Sequence, residues 1–351
     1  MISSVFKYAY PHAKIRALKG NLLSQELMRA LLQTETFEEV LHVLRMTPYA
    51  DGFGDFTPDA ISIPLLTRIL HRNLFEDYEK TIRSVARDIQ PLFILLYQKY
   101  ELVNLKTILR GIISHTDPQD IAALLLPTER YTLFSKDTLL EYHEVHHLIE
   151  ALQGSFFQYP LNQALRRFEE EQEFFPLEMA LDLHYYHTLW DATLELPEQE
   201  RQESQHILGM WLDILNVAWV IRFKEHYHFS PEEILNYLIQ HGYAFKLRER
   251  RQLAYARGSQ EVREYLKTTG YARALEQEDE AFNTLHVTLF RYLGEQLYKY
   301  FFGNPFHIGV LLGYLLMKEF EISDILTIAE AKKYGFSLEQ SQHYVIRGGS
   351  D

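Results

Sequence analysis

Cysteine is absent from this chain of 351 residues. That excludes a disulfide framework, a Cys-ligated zinc or iron–sulfur site, and a thiol nucleophile. Glycine (16) and proline (12) are scarce, which favours helices over strand-and-turn architecture. A basic excess is missing too: the net charge is −13, the opposite of a nucleic-acid footprint. No basic stretch followed by a long apolar core opens the chain at Met1–Lys7, so no signal peptide is expected there. No apolar run predicts a membrane span. Ile308–Met317 is too short, since a span needs about 20 residues. His206–Phe223 is long enough but carries Asp213 and Asn216 in its middle, where polar groups are costly in lipid.

Signatures of common chemistries are also missing. There is no G-x-x-x-x-G-K-[ST] phosphate loop, no G-x-G-x-x-G and no G-x-S-x-G nucleophile elbow. The motif His143-Glu144-Val145-His146-His147 does match H-E-x-x-H. On a helix, His143 and His147 would share a face and bind zinc, with Glu144 as general base. His184, His187 and Glu170 are the available third ligands. This zinc-hydrolase reading competes with a plainer one, because Glu144-Val145 recurs elsewhere in the chain.

What the chain has is repetition. A polar or aromatic residue lies six positions before an arginine at Tyr10…Arg16, Asn104…Arg110 and Asn216…Arg222. A partial fourth copy reads Leu312…Lys318. A Glu-Val pair follows the arginine each time, at Glu39-Val40, Glu144-Val145 and Glu261-Val262. Between the two features stands a helix-start signal: Ser24, Asp117-Pro118, and the capping box Ser230-Pro231-Glu232-Glu233, with Ser323 expected to mark the last. Long-period repetition means one supersecondary unit used several times, with copies burying each other's apolar faces. The spacing predicts an all-α body of three pseudo-repeated helical units. They span residues 1–103, 104–215 and 216–351, with the partial fourth copy at the C-terminus. Arg16, Arg110, Arg222, Lys318, Glu39, Glu144 and Glu261 are its structural repeat positions. The arginines are expected to anchor helix ends or pair with carboxylates of the neighbouring unit. Loops are expected at 51–62, 115–117, 126–135, 196–201 and 246–258. Tyrosine (23) and phenylalanine (22) are abundant; the expectation is helix packing with hydroxyls at the rim. No catalytic, cofactor or metal residue is expected in a body of this kind.

Four stretches resemble a known family. They are Tyr8–Arg16 with Gly20–Leu23, Asn104–Gly111, Asp213–Arg222, and Gly309 through Lys318-Glu319 to Ala331–Gly335. Together they are similar to the C subunits of archaeal and bacterial A/V-type rotary ATPases, the counterparts of the d-type subunits of eukaryotic V-ATPases. Three positions depart from that pattern: Lys14 replaces arginine, and Asp324 and Thr327 replace asparagine and arginine. The resemblance implies a funnel-like helical body that is not catalytic and holds no cofactor. It implies a rotor part in the central stalk, linking the shaft subunits to the membrane proteolipid ring and passing torque between ATP turnover and proton or sodium movement. One copy per complex is implied, peripheral on the cytoplasmic side of the membrane, with no contact to nucleic acid. A helical-repeat scaffold with another client is the alternative of the same architecture.

Overall fold

A computed structural model describes residues 2–276 and 285–347. Among these residues every regular element is a helix. The first group is α1 (Ile2–Lys19), α2 (Gln25–Gln33), α3 (Phe37–Leu44) and, after two 3-10 turns, α4 (Ile63–Ser84). The second is α5 (Gln90–Ile113), α6 (Pro118–Leu124), α7 (Lys136–Leu139), α8 (Val145–Ala151), α9 (Gln158–Glu171) and α10 (Phe175–Leu194). The third is α11 (Glu198–Arg222), α12 (Pro231–Tyr237), α13 (Leu247–Tyr255), α14 (Ser259–Leu266) and α15 (Leu285–Lys299). Two more helices close the chain, α16 (Ile308–Lys333) and α17 (Leu338–Gln342).

Local chemistry sets the helix starts. The Ser24 hydroxyl accepts the Leu27 N–H at 3.3 Å, and Asp117 accepts the Gln119 N–H at 2.8 Å. Ser230 and Glu233 form the reciprocal capping box expected from their spacing. Ser323 is different: it lies in the middle of α16, and the start signal there is Ser337, which caps α17 with Gln340. Another expectation also fails. The stretch expected as a loop at 246–258 contains α13. Its charged sequence hides an apolar side, since Leu253 and Ala254 are buried, and Glu249 accepts the Lys246 N–H at 3.0 Å to start the helix. At 196–201 only the first residues are loop, because α11 begins at Glu198.

Helix α16 is the hub. Every residue from Ile308 through Lys318 is buried, because the helix packs against α1, α2, α3, α4, α11 and α15. A helix apolar on all sides belongs inside a protein. Gly309 gives room to the Tyr300 ring, which would stand 2.5 Å from a Cβ built there. The segment Glu198–Tyr227, α11 with the π-turn that continues it, is long and apolar enough to cross a membrane; 67% of its apolar window is buried within the fold. The residue pairs 103/104 and 215/216, where the sequence copies were divided, fall inside α5 and α11. Both expected boundaries therefore lie within continuous helices and not in loops.

The aromatic residues are deeper than a rim. Tyr49, Tyr78, Tyr97, Tyr185 and Tyr314 are almost fully buried. Their hydroxyls find internal partners: Tyr78 donates to Glu319 at 2.6 Å, Tyr185 to the Leu95 carbonyl at 3.1 Å, and Tyr314 to Asp77. A buried hydroxyl without a partner would be costly, so these bonds fix ring positions as well as satisfying them.

Candidate functional site

Two of the repeat arginines meet. Arg110 ends α5 and Arg222 ends α11, and Glu178 in the first turn of α10 lies between them. The separations are 3.5 Å from Arg110 Nη2 to Oε1 and 3.9 Å from Arg222 Nη2 to Oε2. Lys106 joins them, 3.6 Å from Glu178 and 2.8 Å from Asp182 one turn along α10. Each guanidinium also lies by a ring, 5.0 Å from Phe174 for Arg110 and 5.6 Å from Tyr227 for Arg222. Burial raises the Asp182 carboxyl above its ordinary range, with Lys106 pulling it the other way. Basic helix ends around an acidic helix start suit the dipoles of all three helices.

The other two basic positions are placed differently. Arg16 is exposed in the last turn of α1. Lys318 is wholly buried in α16, where Nζ lies 3.2 Å from Glu321 Oε1 and 4.2 Å from the centre of the Tyr49 ring.

The Glu-Val pairs have two structural jobs. Val40, Val145 and Val262 are buried. Glu39 accepts the Glu35 N–H at 2.7 Å and Glu261 accepts the Arg257 N–H at 2.9 Å, so both hold the chain entering a helix. Glu144 is exposed at the N-cap of α8, 3.6 Å from His147. His143 precedes that helix, so His143 and His147 are not neighbours on one helical face. His146 is bonded to Glu169 at 2.8 Å instead. Among the described residues no three His, Asp or Glu side chains converge on a metal-sized space.

The sequence reading missed a set of buried latches. Asn104 pairs with both backbone groups of Leu126, accepting its N–H at 2.8 Å and donating to its carbonyl at 3.0 Å. Asn216 does the same to Ile239, at 2.8 and 2.9 Å. Three residues before each asparagine is an acid that binds the following loop. Glu101 Oε1 accepts the N–H groups of Leu133 (2.6 Å) and Phe134 (3.1 Å). Asp213 accepts those of Ala244 (2.6 Å) and Phe245 (3.3 Å) and the Tyr271 hydroxyl (2.9 Å). In α16 the same spacing is held by Glu321 and Asp324. Asp324 accepts the N–H groups of Ile346 and Arg347, both at 2.6 Å. Glu321 accepts from Leu23 N–H at 2.7 Å, the Tyr49 hydroxyl at 2.8 Å, Lys318 and Arg347. Arg347 also donates to the Leu23 carbonyl at 3.1 Å. The C-terminal segment is thus stitched to the N-terminal helices.

Three of these carboxyls, Glu101, Asp213 and Asp324, are perturbed. Burial pushes Glu101 up to about 7, Asp213 up to about 6 and Asp324 up to about 7, against the pull of the backbone donors. The sequence signal was a polar residue at a repeat position followed, 22 or 23 residues later, by its backbone partner. Only the fold reveals that pairing.

The family described as ATP synthase (C/AC39) subunit matches residues 11–344. The C subunit of the A-type ATP synthase from Methanosphaera stadtmanae is 25% identical over 343 residues, covering 96% of this chain and 86% of the relative. The protein of the same description from Halobacterium salinarum is 25% identical over 350 residues and covers 97% of each. That from Methanosarcina mazei is 24% identical, covering 95% of this chain and 91% of its own length.

Proposed function

The chain belongs to the ATP synthase (C/AC39) subunit family, and we propose that it serves as the noncatalytic stalk part that joins the shaft subunits to the membrane proteolipid ring. In that place it carries torque between ATP turnover and ion movement. One copy stands in each complex, on the cytoplasmic side of the membrane. The observation that carries this reading is mechanical. A torque-bearing part must resist twisting, and here the N- and C-terminal helices are closed on one another through Glu321, Arg347 and Leu23. Around that closure the helices pack on the buried hub α16. Close-packed interiors transmit strain with little compliance.

The three sequence copies, 1–103, 104–215 and 216–351, are the repeated units of this body. Their long helices run across the copy boundaries, which removes the flexible linkers that would absorb rotation. Arg110 and Arg222 hold the second and third copies together through Glu178, and the Glu-Val helices fix the chain that returns to the core. The H-E-x-x-H motif gains nothing from the geometry, since His143 lies outside the helix.

The test is to tag the chain in its native cell, solubilise membranes gently and identify the proteins that co-purify. Catalytic, shaft and proteolipid-ring subunits in steady ratio are expected. A clean recovery without them, from membranes whose ATPase stays intact, overturns the stalk reading and points to a scaffold with another client.

A further inference from the structure

The segment from residue 246 to residue 273 runs against the charge of the whole chain. It holds eight lysines and arginines and three glutamates, in a protein with 35 basic and 48 acidic residues. The fold sorts these charges. Glu249 and Glu261 accept backbone N–H groups, and Glu264 lies 2.8 Å from Lys267. Arg250 turns inward and donates to the carbonyls of Gln240 and Phe245. What remains on the outside of α13 is Leu247, Arg248, Arg251, Gln252 and Tyr255, all exposed. That spacing is a single stripe along one helix face. Arg248 and Arg251 make no ion pair among the described residues. The acid beside the stripe, Glu232 of α12, is engaged by the Tyr255 hydroxyl at 2.6 Å.

Guanidinium groups flanked by exposed leucine and tyrosine match the headgroup zone of a bilayer. The cations pair with phosphate oxygens while the apolar and aromatic groups enter the interface. Leu247, 59% exposed at the start of the helix, supplies the apolar component. The acidic surplus elsewhere selects the orientation. An anionic bilayer repels an acidic body on its other faces and attracts this one. We propose that the outer face of α13 docks on anionic phospholipid headgroups of the membrane that carries the complex. This assignment rests on the stalk reading for bringing the chain near that membrane.

The experiment uses the full chain with vesicles of phosphatidylcholine, alone or with about one third phosphatidylglycerol, at low and high salt. The variant R248E/R251E is compared with the wild type, and circular dichroism melts confirm that both are folded. Expected is binding to the anionic vesicles alone, weakened by salt and reduced about thirtyfold or more in the variant, from roughly a fivefold effect per basic residue removed. Equal binding to both vesicle types overturns the proposal, as does undiminished binding by the variant. Co-purification with ATPase subunits is scored separately. A variant that retains those subunits but loses vesicle binding supports the lipid assignment. A variant that keeps vesicle binding but loses the subunits makes α13 a protein-docking face and overturns it. Loss of the subunits by the wild type overturns the stalk reading, and the vesicle comparison still decides the lipid one.

Discussion

Leu23 and Glu321, 298 residues apart, are joined by a 2.7 Å hydrogen bond from the Leu23 N–H to Glu321 Oε2. The same carboxylate receives Lys318, Arg347 and Tyr49, and it is fully buried. Removing it by Glu321→Ala would leave two cations and a backbone donor uncompensated in the core. The expected loss is about 3–5 kcal/mol of unfolding free energy, read from urea denaturation. Adding Lys318→Met to that variant should recover only part of it, because Arg347 and the Leu23 N–H still lack their acceptor. Full recovery would show that the Lys318 pair alone accounts for the site.

Glu101 makes stability depend on pH with a definite sign. Its folded value is about 7, above the ordinary carboxyl range, because burial disfavours the anion. A raised folded value means that the stabilising contribution is complete below the unfolded value and is lost as pH rises through about 7. Asp324, also at about 7, and Asp213, at about 6, act in the same direction. The wild type should therefore lose stability between about pH 4 and 7. In Glu101→Gln the amide oxygen can still accept from Leu133 and Phe134, while the amide nitrogen takes the place of the unpartnered Oε2. That variant should show a shallower decline, by about 1–3 kcal/mol across the window. Denaturation midpoints at several pH values check it; parallel curves would remove Glu101 from the account.

Gly242 stands where Asp213 needs room. A Cβ there would fall within contact distance of Asp213 Oδ1, and the glycine is buried. Gly242→Ala should push the carboxylate away from the Ala244 and Phe245 N–H groups and cost about 2–4 kcal/mol. Gly270→Ala is the control, since no atom lies within 4 Å of a Cβ built there; its expected effect is within about 1 kcal/mol of zero. Thermal melts of the two variants compare them directly.

Much of the architecture was legible because helix chemistry is local. Ser230 and Glu233 announced a helix start by their spacing, and the structure builds the capping box there. The apolar run at Ile308–Met317 announced a buried helix, and α16 is one. Where reading failed, the deciding partner was distant or hidden by charge. Ser323 is a good cap residue whose helix was already under way, sustained by packing on both sides. The charged segment around Arg248 resembled a loop until Leu253 and Ala254 found a core to face. Asp213 and Asn216 stood out as obstacles to a membrane span, Asn216 also as a repeat position, yet their structural work is to organise the loop at 239–245. Their partners lie more than 20 residues away, and no local rule names them.

The arginine pair gives the sharpest test of the repeat positions. Arg110 is 60% and Arg222 48% exposed at the side chain, so water screens their attraction to Glu178. Each single change to alanine should cost no more than about 1 kcal/mol. Their effects should not add, because both act on one carboxylate and Lys106 remains beside it. A double-mutant cycle on Arg110→Ala and Arg222→Ala, measured by denaturation, should give a coupling of about 0.5 kcal/mol or more. Raising the salt should reduce that coupling. Strict additivity would mean that the two helix ends are held independently, by Phe174 and Tyr227 through their ring contacts, and that the shared carboxylate does not join the copies.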